Sequence, residues 1–119
     1  MGSVNVDTTF RLPHMPRPGE TILTLRKSVG AGGKGANQAV AAAALGSTVA
    51  FLSCVGKDPD GIFVLDVLEA RGVPVTNVRV VAEAATGTAT ILVDPGGSRW
   101  RERHHRGPGG QCPRKCRGR

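Results

Sequence analysis

Aromatic residues are scarce in this chain of 119 residues, which has three Phe, one Trp and no Tyr. A buried core must therefore be built from Val, Ile, Leu and Ala. The three cysteines are too few for a disulfide framework, which favours a reducing compartment. No apolar run reaches the roughly 18 residues that a membrane span needs, and no secretory signal is visible. We expect one modest cytoplasmic domain.

Acidic residues are almost absent from residues 97–119, where Glu102 alone faces eight Arg and Lys. Residues 1–96 hold eight basic and eight acidic side chains, so the net charge of +7 belongs entirely to this tail. The tail also lacks Val, Ile, Leu and Phe, and it cannot bury enough apolar surface to offset the entropy of ordering. We therefore predict that residues 98–119 are a basic, disordered tail.

Two functions could reside in the tail. Its arginines could make the chain a non-enzymatic basic module that binds nucleic acid through phosphate contacts, although we expect non-specific rather than selected binding. Two histidines and two cysteines could also chelate zinc, but their spacing fits no common finger, and we expect no specific metal site. These four residues are His104, His105, Cys112 and Cys116.

The body alternates apolar strands with helices, which is typical of the α/β class. Extended segments are predicted at residues 8–12, 20–29, 48–55, 78–81 and 88–93. Helices are predicted at residues 36–45 and 61–70, the second capped by Asp58 or Asp60. Cys54 lies in a predicted buried strand, where it acts as a small apolar residue.

A glycine cluster, Gly-Ala-Gly-Gly-Lys-Gly, occupies residues 30–35. Its letters match a dinucleotide-binding motif, but no acidic residue follows about 20 positions later. The P-loop pattern fails too, because Ser28 and Gly35 stand where it needs Gly and Ser or Thr. Two interpretations remain: a glycine-rich turn without a ligand, or a polar pocket at the start of a helix. Lys34 and Asn37 favour the pocket.

Several segments together resemble the N-terminal part of the PfkB sugar-kinase family, in its ribokinase-like branch. They are Gly-Ser-Val-Asn-Val-Asp at 2–7, Pro-Gly-Glu-Thr at 18–21, Gly-Gly-Lys-Gly-Ala-Asn-Gln at 32–38, Val-Gly-Lys-Asp-Pro-Asp-Gly at 55–61 and Ala-Thr-Gly-Thr-Ala at 85–89. The resemblance covers residues 1–97. It implies a partial, Rossmann-like three-layer α/β domain with part of a β-sheet lid, to which residues 18–20 and 88–93 would belong.

The resemblance also implies ATP-dependent phosphorylation of ribose at its 5-hydroxyl. Asn5 and Asp7 would bind sugar hydroxyls, although without the resemblance a turn cap would be the more natural interpretation of this pair. Gly32 and Gly33 would form the hinge of the lid. Lys34 and Asn37 would reach the sugar from the hinge and the helix that follows.

The catalytic parts of the family are expected in a C-terminal half that this sequence does not contain. No catalytic base or ATP site is recognisable, so we expect this chain alone to be inactive and to bind cofactors poorly. The full-length family implies ATP, Mg²⁺, a monovalent cation and a homodimer. The family's first buried strand is also missing before Gly2, which predicts open sheet edges and aggregation.

The tail is compatible with a shifted reading frame. Degenerate codons for residues 99–114 permit a second translation, one base over, that resembles what the family carries after this lid strand. Those codons were chosen to permit the match, so it shows compatibility only. We therefore hypothesise a frameshift near Ser98.

Overall fold

The fold is a mixed α/β arrangement of six strands and two helices in residues 1–105, the part of the chain that the computed structural model describes. This confirms the predicted class. In chain order the elements are β1 Asn5–Arg11, β2 Arg26–Gly32, α1 Lys34–Ala44, β3 Ser53–Gly56, α2 Pro59–Ala70, β4 Val78–Val81, β5 Gly87–Val93 and β6 Arg99–His105.

The strands form two sheets. The larger sheet has the order β2-β1-β5-β6, in which β1 pairs antiparallel with β2 and parallel with β5, and β5 pairs antiparallel with β6. The smaller sheet is the parallel pair β3-β4. Gly2 lies beside β3, since its N–H donates to the Leu52 carbonyl at 3.1 Å.

The core is mostly aliphatic, as the shortage of aromatic residues predicts, and Phe51 is the one aromatic residue fully within it in the described part of the chain. Val64 and Leu68 on α2 are fully buried, and they pack in one cluster with Val6 of β1. The alanine-rich helix α1 buries Ala36 and Ala39 in the same cluster, because small side chains let a helix lie close to its neighbours. Cys54 is also buried, which confirms its predicted place in the interior.

Both helices begin two residues earlier than predicted. Helix α2 begins at Pro59 because Asp58 is its N-cap, and the Asp58 carboxylate accepts a hydrogen bond from the Gly61 N–H at 2.7 Å. Proline suits the first helical position, where its missing N–H costs nothing. Asp58 rather than Asp60 therefore caps the helix.

Two predicted strands are longer than those the structure contains. Residues 20–25 are not in a strand, because β1 ends at Arg11 opposite Arg26 and offers no further partner. The lid strand expected at residues 18–20 is likewise wrong, since this segment turns at Gly19. Residues 48–52 are also outside β3, which pairs with only the four residues of β4.

The prediction of disorder from residue 98 onward is wrong for Arg99–His105, which form strand β6. Asp94 builds the turn that leads into β6, accepting a hydrogen bond from the Ser98 N–H at 2.8 Å. Backbone hydrogen bonding to the free edge of β5 needs no apolar side chains, so composition alone misses it. Cys112 and Cys116, two of the four residues that could chelate zinc, lie outside the described residues, as does the rest of 106–119.

Candidate functional site

Asn5 and Asp7 lie side by side on one face of β1, because alternate residues of a strand point to the same side. The Asn5 Nδ2 donates a hydrogen bond to Asp7 Oδ1. Val6, between them, points the other way into the core. Both polar side chains are half-buried, and 20% of the Asp7 side chain is exposed. The two residues that the sequence singled out therefore form a direct amide–carboxylate pair.

The glycines of β2 make room for this pair. Gly30 is the cross-strand partner of Asp7, and Gly32 is the partner of Asn5. A Cβ atom at position 32 would come within 2.5 Å of Asp7 Cγ and 2.7 Å of Asp7 Oδ1. A Cβ atom at position 30 would meet nothing within 4 Å. Gly32 is thus required for the carboxylate to lie over β2, whereas Gly30 is not.

Gly33 joins β2 to helix α1 with a positive φ of 101°, which only glycine adopts readily. A Cβ atom there would also come within 2.5 Å of the Ser3 carbonyl oxygen. That carbonyl accepts a hydrogen bond from the Ala36 N–H at 3.1 Å. Gly33 therefore lets α1 begin directly against the segment before β1. The space beside Gly33 is filled by protein backbone and is not open to a phosphate group.

Lys34 and Asn37 occupy the first turn of α1, and both are exposed. In residues 1–105 neither side chain hydrogen-bonds to Asn5 or Asp7. The structure therefore unites the amide, the carboxylate and Gly32. It leaves Lys34 and Asn37 beyond hydrogen-bonding reach of that pair.

Arg101 of β6 is a member of the site that the sequence did not reveal. Its Nη2 donates to Asp7 Oδ2 at 3.2 Å, while half of the arginine side chain remains exposed. Arg101 pairs in register with Ile91 on β5, which places it on the same face as Asp7. Nothing in local sequence connects positions 7 and 101, and only the order of strands brings them together.

A second polar network holds the start of β5. The Asp58 carboxylate accepts hydrogen bonds from Thr86 Oγ1 at 2.6 Å and from the Thr86 N–H at 2.8 Å. Thr86 Oγ1 in turn accepts from the Gly56 N–H at 2.9 Å. Burial raises the pKa of Asp58, but the hydrogen bonds from Thr86 and Gly61 outweigh burial, and the net effect lowers this pKa.

The Asp58–Thr86 network fixes the chain next to the residue that pairs with Asn5. Thr86 directly precedes Gly87, the residue of β5 that pairs with Asn5. Thr86 is buried, so its side chain is fixed by packing as well as by hydrogen bonds. The sequence predicted Asp58 or Asp60 as the helix cap, but the contact of Asp58 with a threonine 28 positions later had no local signal.

A cavity of about 500 Å³ lies between β2, α1 and α2. Its lining is mostly apolar and includes Ala31, Phe63 and Val67, and its polar side chains are Asn37 and Arg71. Neither Asn5 nor Asp7 lines this cavity. Within residues 1–105, no group of three or more His, Cys, Asp or Glu is placed to hold a metal ion, and no helix is long and apolar enough to cross a membrane.

An α/β framework that displays a paired amide and carboxylate beside a diglycine offers hydrogen-bond donors and acceptors to a polar ligand. The family model of the pfkB carbohydrate kinases matches residues 1–100. The chain therefore belongs to the pfkB family of carbohydrate kinases.

Individual relatives agree with this family. Ribokinase of Haemophilus influenzae is 42% identical over 93 residues, which cover 78% of this chain and 30% of the relative. A ribokinase structure from Cryptococcus neoformans in complex with ADP is 43% identical, with a TM-score of 0.75 over 87% of this chain and 32% of that one. An Arabidopsis thaliana ribokinase complexed with ribose and ATP is 33% identical, with a TM-score of 0.76 over 86% and 33%. This chain thus spans about a third of the length of these relatives.

Proposed function

We propose that this chain carries the sugar-binding part of a ribokinase-type kinase, an enzyme that transfers a phosphoryl group from ATP to the 5-hydroxyl of D-ribose. The observation that carries the proposal is the pairing of Asn5 with Asp7 over Gly32. The relatives named ribokinase, one of them solved with ribose and ATP, favour ribose as the sugar.

The chemistry of the pair suits a polyol. A carboxylate can accept hydrogen bonds from two neighbouring hydroxyls, and an amide can both donate and accept. Asn5 uses one Nδ2 hydrogen on Asp7, which leaves its Oδ1 and its second hydrogen for a ligand. A sugar that binds here must share Asp7 with Arg101, whose guanidinium already contacts Oδ2.

In this proposal Gly33 is the hinge between the larger sheet and α1. Because glycine has no Cβ atom, Gly33 adopts a positive φ here and can reach other backbone conformations more readily than other residues. Movement about it would bring the Asn5–Asp7 pair toward Lys34 and Asn37. Such closure would exclude water, which otherwise competes with the sugar for the phosphoryl group.

We further propose that the chain by itself does not catalyse phosphoryl transfer from ATP to ribose. Phosphoryl transfer needs a base beside the acceptor hydroxyl and donors for the developing charge. In the described part of the chain, the one carboxylate of the proposed site, Asp7, is already engaged by Asn5 and Arg101. A coupled assay that follows ATP consumption with ribose tests this, and formation of ribose phosphate by the purified chain would contradict it. ATP and the cations of the family would be held by residues that lie outside this sequence.

Ribose binding is tested most simply by saturation-transfer NMR on the purified chain, which detects millimolar affinities. The variant Asp7→Asn removes the charge from the proposed site, and Asp66→Asn removes a charge from the exposed surface of α2. We expect transfer to ribose in the wild type and in Asp66→Asn, and its loss in Asp7→Asn. Equal transfer in both variants would rule out Asp7 as a sugar ligand.

We also propose that residues 1–97 are the kinase part and that residues 98–119 come from a shifted reading frame. Strand β6 then contains unrelated residues that pair with the edge of β5 through backbone hydrogen bonds. Sequencing the gene region tests the idea directly. A frame one base over that does not continue into the rest of a kinase would refute it.

A further inference from the structure

The face of the larger sheet that carries Asp7 is strongly basic. Arg11 and Arg26 are cross-strand partners at one end of β1 and β2. Val93 of β5 is in register with Arg11, and Arg99 of β6 is in register with Val93. Residues in register share a face, so three arginines lie in one row across the sheet.

Strand β6 extends this row along its own length. Arg101 and Arg103 alternate with Trp100 and Glu102, and they are in register with Ile91 and Ala89 on the Asp7 face. Trp100 and Glu102 therefore fall on the opposite face. We call the five residues of this surface the arginine face: Arg11, Arg26, Arg99, Arg101 and Arg103.

The arginine face carries little compensating charge. All five arginines are exposed. Within residues 1–105, Asp7 provides the only carboxylate that forms an ion pair with any of them, and it contacts Arg101. Arg11 and Arg26 are like charges directly opposite each other, which is unfavourable unless an anion lies between or above them. The arginine face therefore carries positive charge that the described residues largely leave unneutralised, so it attracts anions.

From this arrangement we propose that the arginine face binds the phosphate backbone of single-stranded nucleic acid, without sequence preference. Arginine forks bind phosphate oxygens in bidentate fashion, and guanidinium planes also stack on unpaired bases. Four strands spaced about 4.8 Å apart, with β6 arginines about 7 Å apart along the strand, give a patch on the order of 14 Å each way. Several consecutive phosphates fit such a patch.

Arginines displayed on a sheet surface favour single strands over a duplex. Major-groove binding uses a helix or a protruding ribbon, whereas all five arginines here lie on one sheet surface. The inference differs from binding by the tail alone, because Arg11 and Arg26 belong to β1 and β2. The arginine face shares Arg101 with the proposed sugar site, whereas Arg11 and Arg26 lie outside that site.

The test measures fluorescence anisotropy of a labelled oligothymidylate with the full chain over a range of NaCl concentrations. The double variant Arg11→Gln/Arg26→Gln removes two cations of the face. Its matched control, Lys27→Gln/Lys57→Gln, removes two exposed cations elsewhere, and Lys27 is next to Arg26 but on the opposite side of β2. All variants keep residues 106–119.

Each phosphate contact contributes about 0.7 to the slope of log K against log salt for single strands, so we expect the first variant to lower the slope by about 1.4. The control should keep the wild-type slope. Equal slopes in the two variants would show that binding depends on net charge or on the tail, and would overturn the proposal. Tighter binding to a duplex of the same length would overturn the assignment to single strands. Since Arg11→Gln/Arg26→Gln removes a like-charge pair, it should fold at least as well as the wild type, and circular dichroism checks this.

Discussion

The sharpest consequence of the site geometry concerns two glycines on the same face of one strand. In Gly32→Ala the new methyl group collides with the Asp7 carboxylate, whereas in Gly30→Ala it enters open space. Neither glycine has a positive φ, so the backbone accepts alanine at both positions. Any difference between the two variants therefore reports on the contact with Asp7.

The change in the free energy of unfolding for Gly32→Ala follows from the interactions that the Asp7 carboxylate loses. Asp7 is a short side chain that can rotate away, at a rotamer cost of about 0.5–1.5 kcal/mol. It then loses the hydrogen bond from Asn5, worth about 0.5–1.5 kcal/mol net. We expect Gly32→Ala to lower the free energy of unfolding by about 1–3 kcal/mol. Gly30→Ala should raise it by about 0.4–1 kcal/mol, because alanine restricts the unfolded chain.

Urea unfolding followed by circular dichroism measures this difference. With an m value of about 1–3 kcal/mol/M, a gap of about 2 kcal/mol separates the two midpoints by roughly 1 M. An unchanged m value is needed for the comparison to report stability alone. If both variants unfold at the same urea concentration, the carboxylate does not lie over Gly32 as described.

Three further predictions concern the Asp58 network and the hinge. Thr86→Val leaves the buried Gly56 N–H without its acceptor and should cost about 1–3 kcal/mol in urea unfolding, whereas Thr88→Val should cost far less. Because hydrogen bonds lower the pKa of folded Asp58, its stabilising contribution is present above the ordinary aspartate pKa and is lost as pH falls through the lowered value. Acid should therefore destabilise the wild type more steeply than Asp58→Asn, and parallel pH profiles would contradict this. Gly33→Ala adds a collision with Ser3 to the strain of positive φ and should unfold at lower temperature than Gly19→Ala, which meets only the strain.

Local pattern was enough to predict the class of the fold, whereas the family resemblance singled out the Asn5–Asp7 pair. Asn5 and Asp7 are two positions apart on β1 and therefore share a face, although the extended segment predicted here began only at residue 8. An aspartate cap at position 58 or 60 followed from the residue type and the helix after it, and the structure selects Asp58. These features depend on neighbours within about four positions, where sequence spacing and geometry are closely linked.

The remaining features depend on long-range strand pairing, which the sequence pattern did not predict. Residues 20–25 have strand-like composition, yet β1 ends at Arg11 and provides no partner for them. Strand β6 has no apolar pattern, yet it pairs with the edge of β5. The contact of Arg101 with Asp7 depends on that unforeseen strand. Register and strand order, which composition does not encode, therefore decided both the errors and the missed residue.

We propose that a sugar binds beside Asn5 and Asp7, near the start of α1, and the decisive experiment is an amide-resolved NMR titration of the ¹⁵N-labelled chain with D-ribose. We expect saturable shifts confined to residues 5–7, 32–37 and Arg101, which shares Asp7 with the sugar, and no shift of the α2 amides. Shifts elsewhere on the chain, or none at ribose concentrations well above the millimolar range, would contradict it.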